Sequence, residues 1–323
     1  MKESGYKHLY GLVPSRRLGR SLGIDLVPFK TCTYDCVYCQ LGRTTKRTIQ
    51  RKEYVPIEEI VLELEEKLAG IDAPDYISLA GSGEPTLNSG IGSLIRKIKD
   101  MTKIPVAVLT NGSLLWLREV QDALDAADLV LPSLDAGSDA LFRQVNRPHR
   151  SLWFAQMVDG IAGFTKRFQG EIWLEVFLLA GVTAIPADAQ KIAAMVERIG
   201  PARTQINTVT RPPTETYASP VPFDQLRKLK DLFPGHVEII SEAEWPGTTW
   251  GLKDETNTEN ILALLRRRPC TSGDVAKGLG IHALAILKHL DALTQEGQVA
   301  ITRIDGQTFY TATGTNAKKD SHT

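Results

Sequence analysis

The chain has 323 residues, 42% apolar and 24% charged, with 38 basic and 38 acidic side chains. That length suits one large folded domain plus a small one, and the composition is that of an ordinary globular protein. No apolar stretch approaches a membrane span, and the run Met1 to His8 lacks the apolar core of a signal peptide, so a cytoplasmic protein is expected.

From Ser21 to about Ile240, apolar runs of strand length alternate with helical patterns, as in repeated β–α units around a parallel sheet. Strands are expected at Leu22–Pro28, Tyr76–Ala80, Pro105–Thr110, Leu129–Leu134, Ile172–Leu179 and Thr204–Val209. Helices are expected at Ile57–Leu68, Ser93–Met101, Leu114–Ala126, Phe154–Phe168 and Ala187–Ile199. A partial barrel and a doubly wound open sheet both accommodate this order.

The first strand runs into Cys32, Cys36 and Cys39, a C-x3-C-x2-C array, and the fourth cysteine, Cys270, lies far away. Three thiolates are one short of the four that normally hold a [4Fe–4S] cube, which would leave one iron open to a small ligand. Structural zinc completed by His8 or His149 is the alternative. Around this motif, residues 1–52 carry eleven Lys or Arg against Glu3, Asp25 and Asp35. Such a rim favours an anionic partner (phosphate, carboxylate or nucleic acid), or is simply a solvated loop.

Polar residues gather at the C-terminal ends of the later strands, where barrel active sites are built. Gly81-Ser82-Gly83-Glu84-Pro85-Thr86 follows the second strand, and it lacks the Gly-Lys-Ser/Thr ending of a phosphate loop. Asn111-Gly112 closes the third. Ser133 and Asp135 close the fourth and, if extended, share a side. A turn at Asn111 and a helix cap at Asp135 are the plain alternatives. In the fifth strand Trp173, Glu175 and Phe177 alternate with Ile172, Leu174, Val176 and Leu178, which turns Glu175 into the lumen. A buried carboxylate there requires a partner, an inward cation or a bound ligand's charge. Gln205 and Asn207 share a face of the sixth strand.

Residues 241–254 have no periodicity and are expected to link to a small domain at 255–313, followed by a tail at 314–323. Helices are expected at Thr258–Arg267, Thr271–Leu279 and His282–Gln295, the last with a stripe of Leu284, Leu287, Leu290 and Leu293. A hairpin of Val299–Ile304 and Thr308–Thr313 follows. Three helices and a ribbon resemble a winged helix-turn-helix domain. Residues 255–323 hold eight basic and seven acidic side chains, and the third helix lacks Arg, Gln and Asn in its first two turns. Packing on the barrel or docking a substrate or partner is therefore favoured over DNA binding. Cys270 is expected to be an ordinary buried thiol.

Cys32-x3-Cys36-x2-Cys39 resembles the signature of the radical S-adenosylmethionine (SAM) enzymes. The resemblance implies a partial (β/α)6 barrel and a [4Fe–4S] cluster on Cys32, Cys36 and Cys39, with SAM chelated to the open iron. Reductive cleavage of SAM then gives a 5′-deoxyadenosyl radical. It implies that Tyr38 lies near the adenine, and that Ser82, Gly83 and Glu84 form the loop holding SAM's ammonium group, Ser82 standing where the family has glycine. Asn111, Ser133, Asp135, Glu175 and Asn207 become candidate cofactor contacts, while catalytic residues stay unassigned. Within the superfamily, Ser82–Thr86, Leu109–Gly112 and Ser133–Ala136 resemble the branch of the tRNA-wyosine synthases, although no cysteines remain for their second cluster. The expectation is an enzyme with one cluster, reduced by flavodoxin or ferredoxin, acting on an anionic substrate with RNA first. A cluster-containing DNA-binding regulator and a peptide-modifying enzyme are the alternatives.

Overall fold

Aliphatic residues at alternate positions make the strands one-faced, and helices packed on that face complete the core. The computed structural model describes residues 6–71, 73–240, 258–304 and 306–313. Strands β1 (Leu9–Ser15), β2 (Gly19–Ile24), β3 (Thr31–Cys32) and β4 (Lys46–Arg47) open the chain. Then come α1 (Ile57–Ala69), β5 (Tyr76–Leu79), α2 (Ile91–Met101), β6 (Val106–Leu109), α3 (Arg118–Leu124), β7 (Leu129–Leu131) and α4 (Asp139–Val145). After these follow α5 (Phe154–Arg167), β8 (Glu171–Leu178), α6 (Pro186–Ile199), β9 (Arg203–Thr208), α7 (Phe223–Lys230) and β10 (Val237–Ile239).

Eight strands form one sheet in the order β1-β2-β5-β6-β7-β8-β9-β10, parallel from β2 onward, with β1 antiparallel at the edge. The order runs along the chain without reversal. A doubly wound sheet requires a reversal, so that alternative falls and the barrel-type winding stands. All six expected strands are present, most of them shorter, and β10 adds a seventh parallel one. Sequence pattern missed β1, which holds Gly11 and Pro14, residues tolerated on an edge strand. The expected helix at Leu114–Ala126 shrinks to α3, because Leu114 to Leu117 form a turn with Leu117 N–H bonded to Leu114 O at 3.0 Å.

Ile172, Leu174, Val176 and Leu178 of β8 join the main core with Leu22, Ile77, Val108 and Val130, under helices α1, α2, α5 and α6. The opposite face carries a separate apolar floor of Ala107, Leu129, Leu131 and Trp173. Above that floor the inward positions turn polar.

The C-terminal unit comprises α8 (Thr258–Arg267), α9 (Ser272–Leu279), α10 (Ala283–Gln295) and the antiparallel pair β11 (Val299–Ile304) and β12 (Gln307–Ala312). Thr271 and Asp274 cap α9 reciprocally, and Gly280 ends it in the left-handed conformation. The ribbon's register pairs Ile304 with Gln307, one residue earlier than expected. The leucine stripe is corrected: Ile286, Leu290 and Leu293 are buried, whereas Leu284 is 65% and Leu287 41% exposed. A step of three residues falls short of a helical turn, so an i, i+3 ladder drifts off the buried face while i, i+4, i+7 holds it. Both the linker at 241–254 and the tail at 314–323 lie outside the described residues.

Candidate active site

The cysteine loop leaves the C-terminal end of β2 and is closed by the short β3–β4 pair, with Thr48 N–H bonded to Cys32 O at 3.0 Å. All four cysteines are free thiols. Each motif sulfur has a nearby donor: Lys30 Nζ at 3.0 Å from Cys39 Sγ, Asn111 Nδ2 at 3.6 Å from Cys32 Sγ, and Asn146 Nδ2 at 3.6 Å from Cys36 Sγ. Desolvation, and next to it the Glu84 charge, push the Cys32 thiol up to about 12; desolvation and then Asp135 raise Cys36. Ligation must therefore displace protons, and a metal's charge is what makes that favourable. Among the described residues no three His, Cys, Asp or Glu side chains close on a single-ion position. His8 instead faces Glu59 of α1 at 3.3 Å, so the zinc alternative has no ready fourth ligand there.

The loop after β5 packs directly on the cysteine loop. Lys30 N–H donates to Ser82 O at 2.7 Å and Glu84 N–H to Thr31 O at 3.1 Å. A Cβ on Gly83 would stand 1.9 Å from Thr31 O, so only glycine permits this approach. Glu84 is 1% exposed and anchors the loop. Its carboxylate accepts from Thr86 N–H and Oγ1 and Thr110 Oγ1 on one oxygen, and from Asn111 N–H at 2.7 Å on the other. The expectation that it reaches a ligand's ammonium is thus qualified, since most of its acceptor capacity joins the ends of β5 and β6. Asn111 both makes the turn, with Gly112 at φ 75°, and touches the cysteine loop through Thr33 Oγ1 at 2.7 Å.

Glu175 points inward, as its register required. Its partners are Arg17 of the β1–β2 turn at 3.2 Å, Asn207 Nδ2 at 2.9 Å and Ser133 Oγ at 3.4 Å. Arg17 is the inward cation, and no local pattern announced it. Asp135 departs from expectation. The chain leaves regular strand geometry after Leu131, so Ser133 meets Glu175 while Asp135 turns beneath the site, 3% exposed. There it accepts from Tyr38 OH at 2.5 Å, Asn146 Nδ2 at 2.6 Å and Phe177 N–H at 3.2 Å. Burial lifts its carboxyl to about 6 against the pull of those bonds. It caps no helix, because Ser138 caps α4. Tyr38 stacks on Phe177 with centroids 3.9 Å apart. Gln205 turns away to Glu238.

These loops open on one cavity of about 1760 Å³, lined by Cys32, Tyr38, Cys39, Ser82, Gly83, Glu84, Asn111, Ser133, Glu175 and Asn207. Neither Cys36 nor Asp135 lines it. Part of its wall comes from the C-terminal unit, where Arg267 of α8 contacts Asp25 at the end of β2 and lies over the Tyr10 ring. Lys30, Arg17, Asn146 and Asp25 are site residues that sequence reading passed over.

A family model described as the radical SAM superfamily matches residues 26–183. Over 306 residues the chain is 32% identical to UPF0026 protein MJ1312 of Methanocaldococcus jannaschii, covering 93% of this chain and 94% of that one. It is 38% identical over 307 residues to a protein named GTPase Obg from Brachyspira hyodysenteriae, but spans only 45% of that protein's length, against 94% of its own. A crystal structure of a radical SAM methyltransferase from Sphaerobacter thermophilus shares the fold, with TM-score 0.52 and 15% identity over 68% of this chain and 66% of that one. A [4Fe–4S] cluster and SAM are the cofactors of this family. Three free sulfurs, each beside an N–H donor, and a glycine cradle built against them fit that pair. Among the described residues no helix is long and apolar enough to cross a membrane.

Proposed function

This chain belongs to the UPF0026 family and carries a radical SAM domain, and we propose that it is a single-cluster radical SAM enzyme of the wyosine-synthase-like branch, acting on an anionic substrate of which RNA is the first class to test. Cys32, Cys36 and Cys39 would hold the cluster. Tyr38, Ser82, Gly83, Asn111, Ser133, Glu175 and Asn207 would surround SAM, with Glu84 and Asp135 bracing them from behind. When bound, the two cofactors supply one-electron cleavage of a sulfonium C–S bond and hydrogen abstraction from a nearby carbon.

The chain's own residues prepare that chemistry. Lys30, Asn111 and Asn146 direct N–H groups at the three sulfurs, which favours their thiolate form and a more readily accepted electron. Arg17 and Asn207 fix Glu175 before any ligand arrives. The observation that carries the reading is the direct bonding of the cysteine loop to the Ser82–Glu84 loop at one cavity, above the C-terminal strand ends. Flavodoxin or ferredoxin is the proposed reductant.

The order helix, helix, helix, ribbon supports a winged-helix-like C-terminal unit. Its α8 and α9 face the barrel, and Arg267 is engaged with Asp25, which favours a structural or substrate-facing use over DNA binding. The decisive experiment is anaerobic reconstitution, reduction with dithionite and addition of SAM. Release of 5′-deoxyadenosine is expected; protein that takes up zinc but no iron, or that leaves SAM intact, refutes the proposal. Salt-dependent DNA retardation lost on deleting 255–323 favours the regulator instead.

A further inference from the structure

Among the described residues, the chamber beside the cysteines is lined by eight basic side chains and four acidic ones. Several of the eight are accounted for: Arg17 pairs with Glu175, Arg267 with Asp25, and Arg266 with Glu259. Arg211, just past β9, is different. Its side chain is 13% exposed and its nearest acid is Asp274, at 3.6 Å. That same Asp274 oxygen already accepts the Thr271 N–H at 3.1 Å in the cap of α9. Arg211 reaches Gln40 Oε1 only at 3.5 Å, and its Nε is buried without an acceptor.

Arg268, one residue past α8, lines the same chamber and has no acidic partner among the described residues. Burial, with the like charges of Arg268 and then Arg16, pushes Arg211 down to about 10 despite Asp274. Arg211 and Arg268 are both partly buried and have one ion pair between them, Arg211 to Asp274 at 3.6 Å, so a bound anion would offset the repulsion of the two like charges. Two guanidinium groups on one chamber wall, from separate segments of the chain, suit a group with three or more acceptor oxygens better than a two-oxygen carboxylate.

We propose that Arg211 and Arg268 form a phosphate-binding site, complete only with the C-terminal unit docked on the barrel, that holds a phosphate group of the substrate in the chamber next to the cysteine loop. This rests on reading the chamber as the substrate site of the radical SAM domain, and it gives the C-terminal unit a place in substrate recognition. The unit's near-zero net charge conceals the function, because Arg266, Arg267 and Arg268 are consecutive and sit on its barrel side.

The test is calorimetric titration of the full-length, cluster-loaded protein without reductant, at constant ionic strength. Its probes are inorganic phosphate, uridine 5′-monophosphate and unfractionated tRNA. Saturable phosphate binding is expected, weakened about tenfold or more in Arg211→Met and in Arg268→Met and unchanged in Lys97→Met. Arg268 has no ion pair to lose, so Arg268→Met should keep the wild-type thermal midpoint in chloride and decides the matter if Arg211→Met misfolds. Preference for tRNA over the mononucleotide assigns the phosphate to an RNA backbone; equal or weaker binding of tRNA assigns it to a small phosphorylated molecule. Absence of saturable binding to all three probes, or equal phosphate binding by wild type and Arg268→Met, overturns the site. Because no electron is supplied, that failure is separate from a failure to release 5′-deoxyadenosine.

Discussion

Replacing Gly83 by alanine tests the contact on which the whole site is built. The added Cβ would lie 1.9 Å from Thr31 O, 2.8 Å from Thr31 C and 2.9 Å from Val27 Cγ2. Ordinary contact requires the two loops to part by roughly 1 Å or more. The bonds between them, Lys30 N–H to Ser82 O at 2.7 Å and Glu84 N–H to Thr31 O at 3.1 Å, would then exceed hydrogen-bond reach. Two buried bonds broken, together with overpacking, should cost about 2–5 kcal/mol. Urea unfolding followed by tryptophan fluorescence measures this, and iron per chain after anaerobic reconstitution measures the damage to the neighbouring Cys32. Both should fall. A variant within about 0.5 kcal/mol of wild type that still loads iron fully would refute the close packing of these loops.

Three further outcomes are expected. Arg17→Met should destabilise by about 1–3 kcal/mol, discounted because both partners are 18% exposed, by leaving Glu175 without a cation; Glu175→Gln in the same chain should recover much of it, and strict additivity in the urea midpoints would exclude the pairing. Asp135 rises from 3.8 to about 6, chiefly by desolvation, so its protonated form favours the fold. Its contribution, about 3 kcal/mol at most, is complete below pH ~4 and lost as pH climbs through ~6; Asp135→Asn should remove that slope from the iron-free chain, and identical wild-type and variant profiles between pH 4 and 7 would count against it. Serine at Cys32, Cys36 or Cys39 should sharply reduce bound iron, whereas Cys270→Ser, at a buried thiol donating to Arg268 O, should not; iron quantification that ranks Cys270 with the others would break the assignment.

What was legible in the chain was whatever repeats locally. Alternation in Glu171–Leu178 announced both the aliphatic outer face and the inward Glu175, and Gly280 and Thr271 marked the limits of α9. Three residues, Val237–Ile239, are too few for periodicity, which hid β10. Period-two reasoning failed at Asp135 because the strand had already ended at Leu131. Partners distant in sequence were invisible: Arg17 lies 158 positions before Glu175, and Arg267 is 242 from Asp25. Net charge misled as well, since a balanced total says nothing about three adjacent arginines on one side.

Asp25 joins two parts of the chain through its two oxygens. One receives Ser82 N–H at 2.7 Å, in the loop that faces the cysteines, and the other receives Arg267 from the C-terminal unit. A single carboxylate thus makes the seating of a distal module and the shape of a ligand-gripping loop parts of one equilibrium. Reciprocity follows from thermodynamics: whatever tightens the loop must strengthen the module's attachment by the same free energy, and anything that prises the module loose must slacken the loop.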